Sequence, residues 1–206
     1  MYISGAGRID GLHLTGGEGE PINSPKSGGL PGREKRVIIK KKTEAAMEIR
    51  TAAMTDLPAL TAIEAACFPS AEAATEAEFR ERLAHYADHF WLMLDGGRPV
   101  AFVDGFVTDE ADLTDEMYAD ASLHDPKGAW QMIFGVNTLP AYRRQGIAGQ
   151  LLRRAIEDAR AQGRKGLVLT CKDRLVHYYA QFGFVSEGLS ASDHGGAVWF
   201  QMRLTF

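Results

Sequence analysis

Residues 133–184 read IFGVNTLPAYRRQGIAGQLLRRAIEDARAQGRKGLVLTCKDRLVHYYAQFGF. An apolar run leads into a turn of basic residues and glycines, and the turn opens a long amphipathic helix. Ile147, Leu151, Leu152, Ala155, Ile156 and Ala159 recur at helical spacing, which predicts one buried stripe. A β-rich run over 166–170 and a second helix over 175–182 follow, closing on Phe182-Gly183-Phe184. The turn carries the most information. A helix start has unpaired N–H groups and the positive end of the helix dipole. Arg143, Arg144, Gln145, Gly146, Ile147, Ala148 and Gly149 can wrap such donors around a pyrophosphate. Gly146 and Gly149 let the backbone approach an anion without a Cβ in the way.

The spacing is not G-x-x-x-x-G-K-[ST], which excludes a P-loop, nor G-x-G-x-x-G with an acidic ribose partner beyond it. It matches [RQ]-x-x-G-x-[GA] as Arg143-x-x-Gly146-x-Ala148. A strand exit over 136–142 precedes it, and Tyr178-Tyr179-x-x-Phe182-Gly183-Phe184 follows. On these blocks the chain resembles the GNAT acyltransferase superfamily, and within it the arylalkylamine N-acetyltransferase branch and its bacterial relatives. The resemblance covers 48–204 and includes Val100-Ala101-Phe102, Cys171-Lys172-Asp173 and the block 195–202. It implies the GNAT acyl-CoA N-acyltransferase fold, an α/β (α+β) domain whose mixed, mostly antiparallel central sheet is flanked by helices. It implies acetyl-CoA as co-substrate, held by the turn above and by the backbone of Phe134, Gly135 and Val136, where the strand splays from its neighbour. It implies direct transfer to a small primary amine in a ternary complex. Acetylation of protein amino groups and a non-catalytic acyl-CoA-binding module remain as alternatives.

The composition is 45% hydrophobic and 24% charged over 206 residues, with a net charge of −4. That suffices for one domain with a full core. No apolar run approaches the ~20 residues of a membrane helix, so no membrane partner is expected. Cys67 and Cys171 fit a reduced, cytoplasmic setting and not a disulfide framework. No His/Cys/Asp cluster has ligand spacing, so no metal is expected. Residues 1–46 hold eight Lys/Arg against five Asp/Glu, leaving 15 against 22 for the rest. An acidic body argues against nucleic acid and suits a cationic acceptor. The Gly/Pro/Ser-rich segment 1–46 reads as a disordered leader or a mis-assigned start, and 47–206 as the acetyltransferase domain. Monomer and homodimer both stay open.

Within the domain, a strand is expected over 48–51. Thr55 is expected to cap a helix that puts Leu57, Leu60, Ile63 and Cys67 on one face, with Glu64 interrupting that face. Thr75-x-x-Glu78 is a capping box ahead of Phe79, Leu83 and Tyr86. Strands are expected over 90–94 and 100–107, then a polar connection over 108–127, one strand over 130–137, and a closing hairpin of 184–189 with 197–204.

Tyr179 matches the tyrosine that the superfamily places just before the Phe-Gly-Phe end, and the resemblance gives it the general-acid role. A phenol with pKa about 10 stays protonated where a thiol of about 8.5 must leave. Tyr178 beside it reads as core. Vertebrate members of the branch carry two histidines on the central strand, where this chain has Trp130 and Met132. Insect members use a glutamate between the first two helices, the place of Glu72 here; a solvated acid is the equal alternative for it. Glu64, His177 and His194 are further candidates for the base. Phe68, Trp130 and Trp199 are expected to wall the amine pocket. Cys171 is the thiol that a covalent route would use.

Overall fold

Helical and two-residue periodicities set the elements, and hydrogen bonding across the chain decides where they stop. The computed structural model describes residues 46–206. The expected leader lies outside the described residues except for Ala46. In chain order the elements are β1 (Met47–Thr51), α1 (Leu57–Cys67), α2 (Glu76–Tyr86), β2 (Phe90–Asp95), β3 (Arg98–Asp104), β4 (Val107–Thr108), α3 (Glu116–Ala119), β5 (Trp130–Ile133), β6 (Gly135–Thr138), α4 (Ile147–Ala161), β7 (Gly166–Cys171), α5 (Val176–Ala180), β8 (Val185–Leu189) and β9 (Phe200–Thr205).

One sheet runs β1-β2-β3-β6, all antiparallel. The other runs β4-β5-β7-β9-β8, with β5 and β7 as its parallel pair. A shared ribbon joins them. The Met132 N–H donates to the Phe106 carbonyl at 2.8 Å, and the Phe134 N–H to the Asp104 carbonyl at 2.8 Å. On the far side the pairing stops: Ile133 is matched with Leu169, and beyond it β6 is an edge strand with no pairing to β7. The strand expected over 130–137 is therefore broken at Phe134. An edge strand turns a row of backbone donors and acceptors outward, and here that row faces the gap between β6 and β7.

The two faces are covered as the spacing predicts. Ile147, Leu151, Leu152, Ala155, Ile156 and Ala159 of α4 are buried with Trp91, Val103 and Leu167. Leu57, Leu60, Ile63, Phe79, Leu83 and Tyr86 of α1 and α2 are buried with Phe90, Phe102 and Met132. Each such side chain contributes about 1.5–3 kcal/mol when fully buried. The capping box of α2 is made: the Glu78 N–H donates to Thr75 Oγ1 at 3.2 Å, and the Thr75 N–H to Glu78 Oε2 at 2.6 Å.

Several boundaries differ from the sequence expectation. Thr55 caps nothing; it lies inside a 3-10 turn, Met54–Asp56, and α1 follows directly. Asp56 ties that turn down instead, accepting from the Ala53 N–H at 2.8 Å and from Arg50. The strand expected over 100–107 ends at Asp104, and at Gly105 the chain passes so close to the Met132 carbonyl that a Cβ would collide with it. The chain resumes as β4 in the other sheet. The segment 108–127 is more than a polar connection, since Leu113, Met117 and Ala121 are buried in it. The second helix of the 133–184 stretch is short, with a 3-10 turn, Asp173–Leu175, leading into α5.

Candidate active site

Between β6 and α4 the basic turn folds back on itself. Arg144 holds a φ of 60° and Gly146 a φ of 78°. A left-handed arginine costs on the order of 1–3 kcal/mol and persists only where the surroundings impose it. The bend starts α4 without a side-chain cap. Gln150 makes the bond back to the Gly146 carbonyl, so the N–H groups of Ile147, Ala148 and Gly149 precede the helix ladder. Those three residues line a cavity of about 270 Å³ together with Thr138, Tyr142, Arg143, Arg144, Gly146 and Tyr178. Arg143 is fixed there by donating from Nε to the Thr138 carbonyl at 3.1 Å. Gln145 turns away: its amide donates to the Ala141 carbonyl at 3.0 Å, and it does not line the cavity. A helix start, two guanidinium groups and a glycine with open space around its Cβ position fit a pyrophosphate.

Val136 also lines a second cavity, of about 70 Å³, which sits at the strand break. Phe134, Gly135, Tyr179, Glu64, Glu72, Phe68 and Trp199 line it, so the expected acid, the expected base and two expected walls meet there. Tyr179 comes from α5 and is 2% exposed. Burial, with Cys171 and the neighbouring tyrosines adding, holds its phenol well above 10. Its ring packs edge-on against Phe184 at 6.0 Å.

The two glutamates differ. Both Glu72 carboxylate oxygens accept from Lys172 Nζ, at 2.8 and 3.0 Å. That ammonium also lies 5.3 Å from the centre of the Trp199 ring. The Trp199 indole donates to the His194 carbonyl at 2.9 Å, and His194 Nε2 lies 3.3 Å from the Glu72 carbonyl. Glu72 thus clasps the α1–α2 loop to the β8–β9 loop across the cavity. Glu64, by contrast, sits on the buried face of α1 and among the described residues accepts one bond, from the Ala74 N–H at 3.1 Å. Burial first, and the nearby Asp104 carboxylate second, push its carboxyl up to about 7.

Trp130 is not a wall of this cavity. It starts β5, and at about 3.3 Å per residue its Cα is roughly 13 Å along the strand from Phe134. The Arg203 guanidinium lies 4.7 Å from its ring centre. Tyr118 and Phe134 take its place, with ring centres 5.0 Å apart. Tyr118, Arg82 and Asp104 line the cavity and were not foreseen. Two of them had a signal: Arg82 falls at helical spacing between Phe79 and Tyr86, and Asp104 ends the apolar run 100–103. His177 does not line the cavity, whereas His194 does, stacked on Tyr118 at 4.9 Å. Burial pushes the Cys171 thiol up to about 12, which makes it a poor nucleophile at neutral pH. Among the described residues no group of three His, Cys, Asp or Glu side chains can hold a metal ion, and no helix is long and apolar enough to cross a membrane.

Comparison with known proteins agrees with this architecture. The acetyltransferase (GNAT) family pattern matches residues 57–184. Serotonin N-acetyltransferase of Mesocricetus auratus is 26% identical over 195 residues, covering 94% of this chain and 87% of that protein. The loading GNATL domain of CurA from Lyngbya majuscula superposes with a TM-score of 0.67 at 16% identity, over 78% of this chain and 98% of that one. The GphF GNAT-like decarboxylase in complex with isobutyryl-CoA does so with a TM-score of 0.67 at 24% identity, over 77% and 98%. With the family pattern spanning well over half of its length, from α1 to the Phe-Gly-Phe end, the chain belongs to the GNAT acetyltransferase family.

Proposed function

We propose that this protein moves the acetyl group of acetyl-CoA to a small primary amine by direct transfer in a ternary complex, with Glu64 as general base and Tyr179 as general acid. The observation that carries this is the placement of both groups on one small cavity at the strand break, joined through Val136 to the cavity at the start of α4. The donor's pyrophosphate would rest on Arg143, Arg144, Gly146, Ile147, Ala148 and Gly149, with Gln145 completing the turn. Its amide-bearing arm would lie in the gap beside Gly135 and Val136, bringing the thioester to Phe134. Phe68 and Trp199 would bound the acceptor. The acidic body and the named serotonin-acetylating relative both favour a cationic amine acceptor.

Glu64 takes the base role rather than Glu72 because a base needs a free lone pair and a pKa near the working pH. Glu72 is held by Lys172, while Glu64 is raised to about 7. The Glu64 carboxylate takes one proton from the acceptor ammonium. The amine lone pair then forms the C–N bond to the thioester carbonyl carbon. As the C–S bond breaks, Tyr179 gives its proton to the departing sulfur and recovers one from the new amide nitrogen. The products are the acetamide and CoA thiol, and the proton on Glu64 passes to solvent.

Thiol release from acetyl-CoA across a panel of amines and peptides tests the reading. Primary amines should turn over. Tyr179→Phe should bind acetyl-CoA as the parent does and lose about 10²–10⁴-fold in kcat, the range for a positioned acid. Equal kcat in a chemistry-limited assay would remove Tyr179 from the mechanism. No turnover by the parent on any acceptor would leave an acyl-CoA-binding module.

A further inference from the structure

Arg82 is a buried guanidinium on a helix that is otherwise polar outside its core stripe; it is 6% exposed. Its Nη1 donates to Asp104 Oδ2 at 3.1 Å and its Nη2 to the Tyr118 carbonyl at 2.9 Å. It lies 5.3 Å from the centre of the Phe134 ring and 5.5 Å from that of Phe79. Asp104, 1% exposed, ends β3 directly opposite Gly135. A Cβ at position 135 would stand 2.5 Å from Asp104 Oδ1, so only glycine admits the carboxylate at the strand break. The cavity wall therefore holds two buried carboxylates, Glu64 and Asp104, and one buried guanidinium. The guanidinium bonds Asp104, and among the described residues no ion pair joins it to Glu64.

A buried arginine with no partner turns to whatever anion is in reach, because an unpaired buried charge is strongly unfavourable. A base locked in an ion pair holds its proton weakly. We propose that the Asp104–Arg82 pair is a positioning device for the Glu64 base, with Asp104 engaging the guanidinium so that Glu64 stays free to take the acceptor's proton. This rests on the reading of Glu64 as the base. Among the described residues, the other groups on the cavity wall and beside Glu64 do not substitute for Asp104. On α1, Cys67 has its thiol on the Thr138 carbonyl. On α2, Glu78 is held by Thr75. Tyr118 bonds Thr170, and burial raises its phenol to about 12. Burial also holds the Tyr179 phenol well above 10. Glu72 is held by Lys172, and His194 stacks on Tyr118.

The charges fix the sign. The Asp104 carboxylate raises Glu64, and Arg82 lowers it. Asp104→Asn removes the first and releases the second, so both effects lower the base. Arg82→Gln leaves Asp104 unpaired beside Glu64 and raises it. The measurement is kcat/KM from pH 5 to 8.5, with an amine of pKa above about 10 that stays charged throughout. Its acidic limb then reports Glu64 in the free enzyme. In Asp104→Asn the limb should move down by about one pH unit or more, with the plateau falling about tenfold or more as the base weakens. In Arg82→Gln the limb should move up. Acetyl-CoA affinity should hold in both, and the second variant serves if the first fails to fold. Loss of rate with the limb unmoved in every variant that folds would mean that the pair is merely structural and would overturn the proposal. Glu64→Gln separates the two failures: if it retains full activity and the limb, the base assignment falls; if it abolishes the limb while the pair variants leave theirs in place, only the positioning role falls.

Discussion

Glu64 shows what one residue does when its face is chosen by its neighbours. Leu60, Ile63 and Cys67 bury that side of α1 and take the carboxyl with them. The folded chain therefore holds the Glu64 proton up to about 7, against an ordinary value of 4.5. Between those values the folded state binds more protons than the unfolded state, so stability falls as pH rises through that window. Asp104, raised to about 6 by burial, acts in the same direction. Asp56 and Glu187 act oppositely, since their arginine partners hold them low; their contribution is present above the ordinary carboxylate range and is lost as pH falls. Glu64→Gln keeps an acceptor for the Ala74 N–H and removes the titration. Its stability advantage over the parent should grow by roughly 2–3 kcal/mol between pH 4.5 and 7.5. Denaturant unfolding at several pH values reads this, and a constant difference would contradict it. The place of Glu64 on an apolar face was legible from spacing alone. Its freedom was not, because it depends on how Asp104 and Arg82 pair, and they lie on other elements.

Whole elements were legible where their causes are local. The α2 capping box, the α4 stripe and the basic turn each depend on residues within a turn or two of one another. The end of β3 and the break at Phe134 depend on partners 25 or more residues away, such as Gly105 against Met132, so a continuous apolar run read as a continuous strand. The place of Trp130, away from this cavity, was illegible for the same reason, since the run does not say which end of the strand meets the cavity. The turn before α4 gives a prediction at this scale. Gly146 has a φ of 78° and nothing within 4 Å of its Cβ position, so valine there is opposed by backbone strain alone. Gly146→Val should fold with a loss of about 1–3 kcal/mol. It should also lose most of the rise in melting temperature that acetyl-CoA gives the parent, because the first-turn donors would no longer converge on the phosphates. A thermal shift equal to the parent's would show that the turn does not hold the donor.

Across the whole molecule, the order of the main strands and helices was legible, whereas β4, α3, the split of β5 from β6 and the division into two sheets were not. Periodicity marks extended runs, but only pairing reveals that β5 keeps to β7 while β6 does not, and that the gap lies beside the buried Tyr179 of α5. That division separates the place where the donor would be gripped, the 270 Å³ cavity at α4, from the place where bonds would change, the 70 Å³ cavity at Phe134. The gripped part of the donor is the part that the reaction leaves untouched. CoA keeps the pyrophosphate and the amide arm and loses only the acetyl group, so the protein should hold product nearly as tightly as substrate. Free CoA should inhibit competitively against acetyl-CoA, with an inhibition constant within about tenfold of the donor's dissociation constant, since only the few contacts to the acetyl group distinguish them. Inhibition that is absent, or not competitive with acetyl-CoA, would place the grip elsewhere. With product inhibition of that kind, throughput follows the ratio of acetylated to free CoA rather than the amount of donor.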